Sequence, residues 1–79
     1  MWIRSQGGNI LMDCDFFAVE YHSGKYEVIT LHGKSGISIG LGTYSTKEKA
    51  LKVLDEIQKQ IEYPYVEVFQ MPQDEDVEV

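Results

Sequence analysis

One cysteine, Cys14, in 79 residues excludes an internal disulfide. Flanked by Asp13 and Asp15, it reads as a reduced thiol of a cytoplasmic chain. No apolar run is long enough to span a bilayer. The start, Met1-Trp2-Ile3-Arg4, lacks the basic cluster and long apolar stretch of a secretion signal, so cytoplasmic localisation is expected. Basic residues are few: seven Lys and Arg against thirteen Asp and Glu, a net charge of −6. Asp74, Glu75, Asp76 and Glu78 hold four of those negative charges, so the chain up to Met71 carries −2. Without clustered Lys and Arg, binding to a nucleic acid backbone is not expected. Nor are carboxylates dense enough for a nucleic acid mimic. A domain this small buries about 60–65% of its unfolded surface. With no disulfide, the reinforcement expected is self-association or a protein partner.

What the chain does have is one strong helical pattern, expected over 45–62. Ser45 with Glu48 three residues on forms a capping box. Ala50, Leu54, Ile57 and Ile61 recur at helical spacing, widened by Leu51 and Val53. Glu48–Lys52 and Asp55–Lys59 make favourable pairs one turn apart on the polar face. Pro64 ends the helix, because the residue before a proline avoids helical geometry.

The rest reads as short strands. Trp2–Ser5 and Ile10–Met12 are joined through Gly7-Gly8. Phe16–Tyr21, Tyr26–His32 and Ile37–Thr43 form a meander with turns at 22–25 and 33–36. A last strand is expected over 65–69. The fold class is therefore α+β: a mainly antiparallel, curled sheet of five or six short strands with one helix packed on one face. Residues 1–71 form the domain, and the acidic, proline-started 72–79 is a disordered tail.

Pairing Tyr21 with Tyr26 and His32 with Ile37 divides the meander into two faces. Phe17, Val19, Tyr21, Tyr26, Val28, Ile37, Ile39 and Leu41 face the helix. Phe16, Ala18, Ile29, Leu31, Gly40 and Gly42 fall on the other face, with Glu20 and Glu27 towards one end. This second face is too apolar for free solvent. It is either covered by the N-terminal hairpin or a surface for self-association or another protein.

Chemistry is sparse. Ser45, Thr46, Lys47 and Lys49 could hold an anion at the helix start, where free N–H groups and the helix dipole favour negative charge. The preceding Gly40-Leu41-Gly42 only loosely matches a dinucleotide-binding loop. Asp13, Cys14, Asp15 and His32 would converge if the pairing ran to the end of the meander, yet they make neither a complete zinc set nor a catalytic triad. Glu20 and Glu27 face each other and read as surface carboxylates. No catalytic residue, metal or cofactor is expected.

Two blocks carry a resemblance: Ile3-Arg4-Ser5-Gln6, and Gly42-Thr43-Tyr44-Ser45-Thr46-Lys47-Glu48-Lys49-Ala50, a G-x-Y-S-T-x-E-x-A pattern. With the Met71-Pro72 and acidic ending, the chain resembles short uncharacterised proteins of Gram-positive bacteria and their phages or mobile elements. Gly7 departs from the Asp common there. The resemblance implies a bacterial, cytoplasmic protein and carries over no site residues. The functional expectation is a small, non-enzymatic interaction or accessory protein acting through the second sheet face. The alternative is a module for a small ligand, an anion or nucleic acid at 40–49.

Overall fold

Strand side chains alternate between faces, so Trp2-Ile3-Arg4 sends Ile3 one way and Trp2 and Arg4 the other. In the computed structural model, which describes residues 1–79, β1 (Trp2–Arg4) is the centre of a three-stranded sheet. It pairs antiparallel with β2 (Leu11–Asp13) and parallel with β6 (Val68–Gln70). A second sheet is the meander β3 (Ala18–His22), β4 (Lys25–His32) and β5 (Ile37–Tyr44). One helix, α1 (Lys47–Glu62), lies across this second sheet. The protein is α+β with six strands. There are two sheets instead of a single curled one, because Cys14–Phe17 bends without joining a ladder.

Both sheets and the helix share one core. Ile3 and Phe69 come from the first sheet, Val28, Leu41 and Tyr44 from the second, and Ala50, Val53 and Ile57 from α1. Each fully buried aliphatic side chain contributes about 1.5–3 kcal/mol. The N-terminal hairpin thus directs Ile3, with Met12 packed beside it, into this common core. It leaves Leu31, on the sheet face away from the helix, and Phe16, in the bend just before β3, exposed.

The helix begins two residues later than expected. Thr46, not Ser45, is the N-cap, its hydroxyl accepting from the Lys49 N–H at 3.2 Å. The buried stripe is Ala50, Val53, Ile57 and Gln60. Leu51 and Ile61, counted into the apolar stripe from the sequence, are exposed. Lys59 turns to Glu56 at 3.8 Å instead of Asp55; both carboxylates lie about one turn away. The last strand is also displaced, to 68–70. Gln60 causes this: its side chain accepts from the Tyr65 N–H and donates to the Val66 carbonyl, fixing 65–66 as linker.

The β3–β4 register pairs Val19 with Val28 and Tyr21 with Tyr26, as expected. The β4–β5 register holds from His32–Ile37 to Ile29–Gly40, then shifts by one residue. Val28 faces Gly42, leaving Leu41 as the extra residue of a bulge. A one-residue shift exchanges the two faces of a strand. Gly42 therefore joins Val28 and Tyr44 on the core side, which corrects its expected place beside Gly40. The two glycines should consequently respond differently to substitution. A methyl on Gly40 meets only the mobile end of Glu27, so Gly40→Ala is expected to change stability by less than about 1 kcal/mol. A methyl on Gly42 lies 3.0 Å from the Tyr44 hydroxyl and 3.2 Å from Gln6 Cβ. Tyr44 is fixed in the core, so Gly42→Ala should cost about 1–3 kcal/mol. Urea unfolding of both variants checks the bulge, and equal effects would refute it.

The terminal segment 72–79 is docked on the domain, against the expectation of a disordered tail. Val77 is buried in the core, and Asp74–Asp76 form a short 3-10 turn. The Pro72 carbonyl accepts from the Tyr44 hydroxyl at 2.8 Å and from the Gln6 side chain at 3.2 Å. One buried valine and these polar contacts outweigh the acidic composition that suggested disorder.

Candidate interaction surface

The meander face away from α1 carries Ala18, Ile29, Leu31 and Gly40 of the residues singled out from the sequence, with Phe16 in the bend just before β3. Ala18, Ile29 and Gly40 share one cross-strand row. Ile29 is 2% exposed and lies outside the main core cluster. Phe16 and Leu31 remain 45% and 39% exposed. Gly42 does not belong to this face, for the reason given above. Glu27 lies over Gly40 and closes one end of the patch. Glu20 pairs opposite Glu27, and His22 Nε2 comes within 3.1 Å of Glu20 and 3.8 Å of Glu27. The face thus runs from an apolar end at Phe16 and Leu31 to a charged end.

The helix start brings Ser45, Thr46 and Lys49 together, but the donors of Ser45 and Lys49 already have acceptors. Asp74 takes the Ser45 N–H at 2.9 Å and the Ser45 hydroxyl at 3.1 Å. The Lys49 ammonium donates to the Asp74 carbonyl at 2.9 Å and lies 3.6 Å from its carboxylate. These bonds, the Ser45 N–H foremost, hold the Asp74 carboxyl below its ordinary range. Lys47 is exposed and takes no part. An external anion would have to displace the chain's own carboxylate.

The Asp13–Cys14–Asp15–His32 grouping does not assemble. The β3–β4 ladder stops at Ala18–Ile29, so Asp15 and His32 are not paired. Asp13 binds the Met1 ammonium, and Cys14 is 3% exposed within the core. Burial pushes the Cys14 thiol above its ordinary value. The Thr30 hydroxyl is buried with no hydrogen-bond partner. A raised thiol is a poor nucleophile at neutral pH. No group of three His, Cys, Asp or Glu side chains is placed to hold a metal ion.

Other exposed apolar residues lie on the first sheet and beyond the end of α1. Trp2, Leu11 and Val68 are about half exposed on the outer face of the first sheet, where Trp2 stands beside Val68. From the end of α1, Ile61, Tyr63, Tyr65 and Val66 continue this exposure. Ile61 and Val66 line a groove of about 500 Å³ together with Met1, Pro64 and the buried Cys14 and Gln60. The buried Gln60 fixes its wall through the Tyr65 and Val66 backbone. The period-two phase of Trp2-Ile3-Arg4 signalled the exposed tryptophan. Nothing local signalled the roles of Gln6, Gln60 or Asp74, whose partners are backbone groups of other segments.

No helix is long and apolar enough to cross a membrane. Comparison with protein-family models, curated proteins and solved structures found no match.

Proposed function

We propose that this chain is a small, non-enzymatic interaction or accessory module. One observation carries the reading. Thirteen large apolar side chains are exposed, against twelve apolar residues in the core. Single exposed apolar residues are ordinary; contiguous ones mark contact surfaces. Phe16 and Leu31 beside Ala18 and Gly40 form such a patch, and a second copy of the chain is the occupant assigned to it. Self-association would reinforce a domain that has one cysteine and a small core.

Light scattering over a dilution series tests this. A dimer is expected, and Leu31→Lys should dissociate it, because an unpaired ammonium in an apolar interface is strongly unfavourable. Leu31 is the suitable position: Ile29→Lys would disturb the fold itself, since Ile29 is buried. A monomer at every concentration, or a dimer indifferent to Leu31→Lys, would remove this face from the proposal.

A further inference from the structure

The groove beside the end of α1 has a charge pattern that defines a different kind of partner. Its lining includes the apolar side chains of Met1, Ile61, Pro64 and Val66. Its polar rim includes Asp15 and Glu67, and neither carboxylate has a hydrogen-bond or ion-pair partner in the structure. The one cation in its lining is the Met1 ammonium, already bound to the Asp13 carboxylate at 2.6 Å and the Cys14 carbonyl at 3.1 Å. The helix contributes its C-terminal end, where the dipole is negative and favours cations. Tyr63 and Tyr65, 76% and 63% exposed in the adjoining linker, offer aromatic faces on which Lys or Arg side chains pack. The volume lies within the range of sites that bury a ligand's apolar groups. The Gln60 bonds hold the wall in place before anything binds.

We propose that this groove binds a basic segment of another protein, with an apolar side chain against the apolar part of the lining and a neighbouring Lys or Arg against Asp15 and Glu67. The contact goes beyond the self-association reading, since it lies on the helix side of the domain and not on the Phe16–Leu31 face. An anionic segment is excluded by the two free carboxylates, and a purely apolar one would leave them uncompensated.

The test is an NMR titration of the full chain with an acetylated hexapeptide of alternating lysine and leucine. Its counterpart has glutamate in place of lysine. Amide shifts are expected at 13–15 and 60–67 with the lysine peptide and not with the glutamate one. High salt should weaken binding, because it screens exposed charges. The double variant Asp15→Asn/Glu67→Gln should bind about three- to tenfold more weakly, the scale of two partly exposed ion pairs. Both positions are exposed, so this variant keeps its fold, which its own spectrum verifies. The proposal would be overturned by no binding, equal binding of the glutamate peptide, unchanged affinity of the double variant, or shifts confined to the acidic residues 74–78. Shifts on the Phe16–Leu31 face alone would likewise overturn it, while leaving the self-association reading standing.

Discussion

A chain ending at Met71 is expected to lose about 3 kcal/mol of stability, measured by urea unfolding. Two contacts set this figure. Val77 leaves the core, at about 1.5–3 kcal/mol for a buried valine. The Tyr44 hydroxyl loses its hydrogen bond to the Pro72 carbonyl, at about 0.5–1.5 kcal/mol. A domain of this size has roughly 4–12 kcal/mol in all, so the loss should be plain in the midpoint. A disordered tail would give no change. The same segment should add acid sensitivity. The Asp74 carboxyl is held below its ordinary value, chiefly by the Ser45 N–H and then by the Ser45 hydroxyl and Lys49. A lowered carboxyl contributes stability above its unfolded-state value and loses it as pH falls through the folded one. The acid-side fall in melting temperature should therefore be steeper in the full chain than in the truncated chain or in Asp74→Asn.

Tyr44→Ala is expected to unfold the protein or leave it barely folded. Tyr44 is fully buried at the end of β5, in contact with the shared core. Removing a buried aromatic ring costs about 3–5 kcal/mol, comparable to the whole stability of a small domain. Tyr44→Phe keeps the ring and removes only the hydroxyl, so about 1 kcal/mol is expected. In the chain ending at Met71, Tyr44→Phe should cost nothing or stabilise, because the hydroxyl then has no partner to lose. Circular dichroism and urea titration of the four proteins read this coupling directly. Equal costs of Tyr44→Phe in both backgrounds would disprove the Tyr44–Pro72 contact.

The contrast between these residues explains what the sequence made legible. The helix, the meander and the Tyr21–Tyr26 register follow from periodicity and turn residues, which are local. The bulge at Leu41 is not local. Ile37 to Thr43 alternates without interruption, and only the need to seat Tyr44 in the core and Gly42 against Gln6 selects the shift. Ala18, Ile29 and Leu31 fall on one face because their register precedes that shift, Gly42 does not because it follows it, and Phe16 lies outside the ladder altogether. Asp74 read as part of an acidic tail because its partners, Ser45 and Lys49, lie about a third of the chain away. Ser45 read as a cap for the same reason: its hydroxyl serves Asp74, and Thr46 caps the helix. The groove drew no attention because its lining gathers Met1 with residues from the far end of the chain.

The position of β1 bears on how this domain folds. It lies between β2, which follows it closely, and β6, more than sixty residues further along the chain. Gln6 binds Pro72, and Gln73 binds Gln6 in return. One edge of β1 thus stays open until β6 docks. Contacts between such distant segments slow folding, and an open edge meanwhile invites other strands. The meander and helix join neighbouring segments and can form first, whereas the first sheet closes only in a late step that brings β1 and β6 together.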